Sequence, residues 1–363
     1  MITDVLKKHE AEFFVMYASS RNANFYYATK FKTYDPVIYI IGVDGTDLLV
    51  VPEMERRRAE RESRVKEIAT LENLGFKEKV KELRDAKKAL LSVLISLLKE
   101  GRCRSVLVPE EMPSFVSFEL TKHFTVKVVR NPFSKLRIVK SASEVEKIKD
   151  VSRATTSTFE WFVKNFRFER CEEARRAMET HLFSLGYLAE NTICSTGKLS
   201  ADPHELGHGE IEDHLVVDVF PRSLEHLYHS DFTRTVFVNR NPELEDMYSA
   251  VIDAQEEAIK MIREGVDGRE VHEKVKEVLE ERGYRTANGE GFIHSTGHGI
   301  GLEIHEEPRL GEQSVTLKSG MVVTVEPGLY YKDVGGVRVE DTVLVTKSGC
   351  EILTPYPKFI RLY

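Results

Sequence analysis

Apolar residues along the chain fall into continuous runs and into periodic stripes. Phe13-Phe14-Val15-Met16 is a continuous run, and Val37-Ile38-Tyr39-Ile40-Ile41-Gly42-Val43 meets Asp44-Gly45 before Leu48-Leu49-Val50-Val51, which predicts a hairpin. Val80, Leu83, Leu90, Leu91, Leu94 and Leu98 recur at helical spacing and predict one amphipathic helix over 79–100, stopped by Gly101. The block from Glu53 to Arg61 mixes acids with arginines and reads as a solvated helix face. Strands are expected at 105–108 and 126–129, and Asn131-Pro132 marks a boundary. Beyond it, Ser141-Ala142-Ser143-Glu144 has the form of a capping box, with helices expected near 143–165, 171–185, 242–263 and 270–282. Strands are expected at 214–220, 232–238, 321–325 and 337–345. The pattern predicts a smaller N-terminal α/β domain, 1–131, followed by an α+β domain, 132–363.

Composition agrees with two domains: the chain has 363 residues, 41% of them hydrophobic and 31% charged, and a domain takes roughly 150 residues. With 52 Lys+Arg against 59 Asp+Glu the net charge is -7, so nothing draws the surface to nucleic acid or anionic lipid. The longest nearly apolar stretch, 89–98, is broken by Ser92 and Ser96 and falls short of the ~20 residues of a membrane span. The start of the chain is charged throughout, unlike a signal peptide, and Cys103, Cys171, Cys194 and Cys350 form no Cys-x-x-Cys pair. A soluble, reduced, cytoplasmic protein is expected, with no nucleic-acid or membrane partner.

The chemistry is carried by carboxylates in unusual places. Leu215-Val216-Val217-Asp218-Val219-Phe220 sets one Asp among five apolar residues, where burial without a partner costs several kcal/mol, so a cation must face it. Asp231 opens a second β-like segment and shares a face with Thr233 and Thr235, so a hydroxyl can orient its carboxylate. For either Asp alone the plainer reading is a salt bridge, with Arg234 as one partner. Glu326 ends the run Met321-Val322-Val323-Thr324-Val325, and Glu340 sits within Val337-Arg338-Val339-Glu340-Asp341-Thr342-Val343. Period two puts Arg338 and Glu340 on one face, making Arg338 the expected support of Glu340. In His294-Ser295-Thr296-Gly297-His298-Gly299-Ile300-Gly301-Leu302-Glu303-Ile304-His305, two histidines have the spacing of a helical zinc motif, but the glycines oppose a helix. The segment reads as backbone that approaches something closely.

Two Asp, two Glu and one His form an oxygen-rich set suited to a pair of divalent ions such as Mn, Co, Fe or Zn, with bridging carboxylates. No thiolate joins them, no Gly-x-Ser-x-Gly elbow occurs, and phosphate-loop and dinucleotide fingerprints are absent.

The stretch Thr296 to Pro308, with the order Asp, Asp, Glu, Glu around it, resembles the pita-bread metallopeptidases, and within them the Xaa-Pro dipeptidases (prolidases) and Xaa-Pro aminopeptidases. The matching motifs span 136–345. The resemblance implies a C-terminal pita-bread domain around two divalent metal ions, Mn or Co ahead of Zn or Fe. Asp218 would bind one ion, His298 and Glu326 the other, and Asp231 and Glu340 would bridge. Glu326 would move a proton, His305 and by similarity His294 would steady the carbonyl or the tetrahedral intermediate, and His204 would contact substrate, with His208 as its competitor. The implied substrate is a small peptide with proline in second position, and the implied assembly is a homodimer. Such a bond lacks an N–H and fixes φ, which defeats peptidases that grip an extended backbone. The sequence departs from typical prolidases in a longer gap from Asp218 to Asp231, with Pro221-Arg222-Ser223 in the turn, and in a short spacing from His204 to Asp218.

A dipeptidase is the first functional expectation and an aminopeptidase acting on longer peptides the second. The pita-bread fold also serves as a non-catalytic binding module, but such versions usually lose ligands, and here the set is intact.

Overall fold

Strands β1 (Phe13–Ala18), β2 (Val37–Gly42) and β3 (Asp47–Val51) form an antiparallel meander, joined by β4 (Glu67–Thr70), β5 (Ser105–Pro109) and β6 (Thr125–Val129) in the order β4-β3-β2-β1-β5-β6. The computed structural model describes residues 2–363, in two compact units: one ends at Arg137, and the other is Ile138–Tyr363. The continuous apolar runs of the first unit are explained by cover on both faces of its sheet. Phe14, Met16 and Leu49 face one core, and Phe13, Val15 and Val50 face another that includes Leu91, Leu94 and Leu98.

The helix expected over 79–100 is two helices, Phe76–Leu83 and Ala86–Glu100. Arg84 takes a left-handed conformation, and the Asp85 carboxylate accepts the N–H groups of Lys87 and Lys88, restarting the helix. The units divide beyond Pro132, because Asn131 caps a short helix, Pro132–Leu136, that buries Phe133 in the N-terminal core.

The second unit opens with the capping box seen in the sequence, which starts the helix Ala142–Lys164. That helix and Cys171–Ser184 cover a four-stranded sheet, while Pro242–Met261 and Gly268–Glu281 pack into a core with the strands of a five-stranded sheet. After the two-residue β7 (Tyr187–Leu188), the first of these sheets uses β8 (Ile193–Ser195), β9 (His214–Val219), β11 (Phe232–Phe237) and β19 (Ile360–Arg361), in the order β19-β11-β9-β8; β10 (Arg222–Ser223) pairs with β7 instead. The turn between the two Asp residues is thereby tied down. The second sheet takes β12 (Gly297–Gly299), β13 (Glu306–Leu310), β14 (Val322–Val325), β17 (Asp341–Val345) and β18 (Cys350–Ile352), in the order β13-β12-β14-β17-β18, and β15 (Gly328–Tyr331) pairs with β16 (Gly335–Arg338).

Alternation decides what each strand offers. On β9, Leu215, Val217 and Val219 enter the helix-covered core, which turns Val216 and Asp218 to the opposite face. On β11, Phe232 and Val236 enter the same core, which leaves Thr233 and Thr235 beside Val216 and Asp218 across the ladder. The strand expected over 337–345 is two: β16 pairs with β15 and β17 with β14, and Glu340 lies between them with its N–H on Thr233 O at 2.9 Å.

Candidate metal centre

The break between β16 and β17 brings Glu340 beside Thr233, whose hydroxyl donates to Glu340 Oε2 at 2.7 Å. The sequence assigned that hydroxyl to Asp231 and assigned Arg338 to Glu340; both partners differ in the structure. Arg338 donates to Asp218 Oδ2 at 2.7 Å and to the Tyr330 hydroxyl at 2.7 Å, because the strand break ends the period-two relation that would have kept it beside Glu340. It is thus the cation that faces Asp218. Arg234 points into the opposite face of β11 and pairs with Asp341 at 2.8 Å, so it is no partner of Asp231.

His298 lies in β12, whose glycines permit a close approach: a Cβ on Gly297 would stand 1.9 Å from Thr324 O. His298 Nδ1 lies 3.1 Å from Gly299 O, an acceptor only, so Nδ1 carries a proton and Nε2 turns to the carboxylates. There it stands 3.2 Å from Glu326 Oε1 and 3.6 Å from Asp231 Oδ2. Asp231, His298 and Glu340 each present one atom within 4.8 Å of the others. Thr324, which accepts the His298 N–H, donates to Glu326 Oε1 at 3.1 Å.

The cluster is electrostatically overloaded. Burial pushes the carboxyl groups of Asp218, Asp231 and Glu340 up, opposed at Asp218 by Arg338 and reinforced at the other two by the neighbouring carboxylates. Burial acts the same way on Glu326, but the hydrogen bond and charge of His298 hold it down to about 2. His298, which burial alone would keep neutral, is lifted to about 9, chiefly by Glu326. Asp218 Oδ1 and Glu340 Oε1 are buried and accept no hydrogen bond from the described residues. Unpartnered carboxylate oxygens around one imidazole, with no thiolate, make a donor set that suits hard and borderline divalent cations.

His294, His305 and His204 line the same cavity of about 680 Å³ as Asp218, Asp231, His298, Glu326, Arg338 and Glu340; His208 is not among the lining residues and stands by Glu205, at 3.6 Å. The His305 ring meets that of His298 edge-on at 4.4 Å. Burial keeps His294 and His305 toward their neutral forms. Both nitrogens of His294 are engaged, Nδ1 with Ser295 O and Nε2 with the Tyr330 hydroxyl, each at 2.9 Å.

Three lining or supporting residues escaped the sequence reading. Tyr330 joins Arg338 to His294, while Arg309 and Phe220 line the cavity. Tyr330 stands in an apolar strand and Arg309 in the charged strand β13, so neither carried a signal. Replacing Tyr330 by Phe leaves Arg338 and His294 each short of a buried partner and is expected to lower stability by about 1–3 kcal/mol in urea denaturation. No loss would mean that the hydroxyl holds neither group.

The model of metallopeptidase family M24 matches residues 146–347, more than half of the chain. The chain belongs to metallopeptidase family M24. Before the M24 region, the creatinase/prolidase N-terminal domain matches residues 2–139. An Xaa-Pro dipeptidase of Pyrococcus furiosus is 34% identical over 87% of this chain and 86% of that protein. Among solved structures, an Xaa-Pro dipeptidase from Bacillus anthracis superposes with a TM-score of 0.86 at 26% identity, covering 99% of this chain and 97% of that one. An X-Pro aminopeptidase from Thermotoga maritima gives 0.83 at 26% identity, covering 97% and 98%. The resemblance and the α+β pita-bread fold read from the sequence are borne out, and M24 membership makes this chain a hydrolase that works with divalent metal ions. No helix among the described residues is long and apolar enough to cross a membrane.

Proposed function

We propose that this M24 chain is an Xaa-Pro dipeptidase. The observation that carries the reading is a cavity lined by four carboxylates that also receives Arg309. A dipeptide ending in proline brings a free carboxylate next to the scissile bond, and an anionic cavity needs a cation to accept it. Arg338 is committed to Asp218 and Tyr330, so Arg309 is the guanidinium left for the substrate.

Asp218 on one side, His298 and Glu326 on the other, and Asp231 and Glu340 between them would hold two divalent ions, with Mn or Co proposed ahead of Zn or Fe, since the same ligand set accepts several first-row ions. Bound there, such ions polarise the scissile carbonyl and make a water nucleophilic near neutral pH. Glu326 accepts a proton from the attacking water and passes it to the departing proline nitrogen. His305, a neutral imidazole at the cavity wall, donates its N–H to the carbonyl oxygen as charge develops there. His294, whose two nitrogens are held by Ser295 O and the Tyr330 hydroxyl, shapes the cavity wall beside the substrate, and His204, also lining the cavity, contacts the substrate. Arg338 fixes Asp218, and Thr233 fixes Glu340, before any substrate arrives.

The test is proline release from Leu-Pro and cleavage of Leu-Pro-Xaa, by chelated protein before and after addition of Mn or Co. Metal-restored cleavage of the dipeptide alone is expected. Cleavage of the tripeptide after its first residue would favour the aminopeptidase reading, for which the likeness to the Thermotoga structure speaks. Arg309→Met is expected to raise KM for Leu-Pro about 10–100-fold while leaving Leu-Pro amide nearly unchanged; an equal loss on both would remove Arg309 as the carboxylate's partner. The proposed assembly is a homodimer, to be measured by light scattering. Four free cysteines support a reducing, cytoplasmic location.

A further inference from the structure

Residues 301–305 form neither helix nor strand, yet they end in His305. Gly301 N donates to Glu303 O at 3.1 Å, and Gly301 O accepts the His229 N–H at 2.8 Å. From beneath, Glu306 Oε1 accepts the Glu303 N–H at 3.1 Å, and Glu306 Oε2 lies 3.2 Å from Lys140 Nζ. The carboxylate is tucked so closely that a Cβ on Gly301 would stand 2.8 Å from Glu306 Oε1, so a side chain there would have to displace the carboxylate.

Lys140 and Glu306 are 2% and 4% exposed in their side chains, a depth at which an ion pair adds little net stability, because desolvation offsets attraction. What such a pair does supply is a defined arrangement. Lys140 is itself anchored, its N–H on Gly320 O at 2.8 Å and its neighbour Val139 bridged to Met321, where the strand leading to Glu326 begins. Glu306 is the first residue of β13, and successive residues of an extended chain point to opposite sides. With Glu306 drawn inward by Lys140, His305 is turned outward into the cavity, against the His298 ring.

We propose that the buried Lys140–Glu306 pair is a positioning device for His305, coupling the first residues of the catalytic unit to the turn that carries this histidine over the metal centre. Neither residue lines the cavity, so both act through His305. The inference rests on the peptidase reading for its kinetic consequence, but not for its structural one.

The experiment is a double-mutant cycle. Lys140→Met and Glu306→Gln are each expected to lower kcat on Leu-Pro about 10–100-fold, with KM within about threefold and metal content unchanged, and Lys140→Arg should recover most of the loss. In a His305→Ala background, Lys140→Met should change kcat less than about twofold. Equal losses in both backgrounds, or a loss in metal content or KM instead of kcat, would overturn the proposal. Glu306→Gln preserves volume and a carbonyl for the Glu303 N–H, and serves if Lys140→Met does not fold. Independently of turnover, the His305 ring NMR signal, assigned by its loss in His305→Ala, should shift or broaden in Lys140→Met or Glu306→Gln. An unchanged signal would also overturn the proposal. If the parent protein fails to cleave Leu-Pro while the ring signal moves, the substrate reading falls and the positioning role stands.

Discussion

Asp231→Asn is expected to raise the melting temperature of the metal-free protein by a few degrees and to lower kcat/KM more than about 100-fold. The two effects have one cause. In the metal-free chain Asp231 is buried beside Asp218 and Glu326, which raises its carboxyl above the ordinary value. A raised carboxyl contributes stability below the unfolded-state value, about 3.9, and loses it as pH rises through the folded-state value. The midpoint gap between variant and parent should therefore widen as pH is raised above about 4, and the backbone N–H of Phe232, now on Asp231 Oδ1 at 3.1 Å, can be accepted equally by an amide oxygen. Saturating Mn should reverse the order, because the parent binds metal more tightly and gains stability by mass action. Melting curves with and without Mn at two pH values measure all of this. A metal-free variant that melts below the parent would show that Asp231 is not under repulsive load.

Arg234→Met should cost about 3–5 kcal/mol in urea denaturation, the largest stability effect expected from one side chain here. Arg234 is fully buried and its five N–H donors meet five acceptors: Pro357 O, Thr233 O, Glu340 O, Asp341 Oδ1 and Tyr356 O. Its guanidinium also lies over the Phe232 ring at 4.3 Å. The side chain thus ties β11, the break before β17 and the segment ahead of β19 together. Methionine fills much of the volume but leaves Asp341 Oδ1 and the carbonyls with fewer partners in a place water does not reach. Lysine should rescue little, since one ammonium cannot reach five acceptors. Because Glu340 O is one of the five, metal affinity measured by titration should fall as well. A loss near 1 kcal/mol would mean that water or relaxation replaces the guanidinium.

The elements with strong local signals were legible in sequence: the β2–β3 hairpin, the capping box at Ser141 and the long helices of the second unit. The misses have two causes, a local cap in one case and pairing between distant segments in the other. The helix break at Arg84 and Asp85 lies within a stripe that reads as continuous, and only the cap geometry reveals it. The strand break at Glu340 lies within β-forming residues, and pairing with two different partners creates it.

By itself the sequence marked out which residues are the candidates for the chemistry. An Asp or Glu in an apolar strand stands out because burying a lone carboxylate is costly, so each one marks a place where something must compensate. Glycines spaced around His298 stand out because they weaken any regular element. What the tertiary structure decided is who compensates whom. Arg338 went to Asp218 and Thr233 to Glu340, Arg234 turned away to Asp341, and Tyr330, Arg309 and the Lys140–Glu306 pair entered without a sequence signal. The reason is physical: burial cost is a property of one residue in its own strand, whereas a hydrogen bond depends on a few tenths of an ångström between strands that only the packed chain brings together.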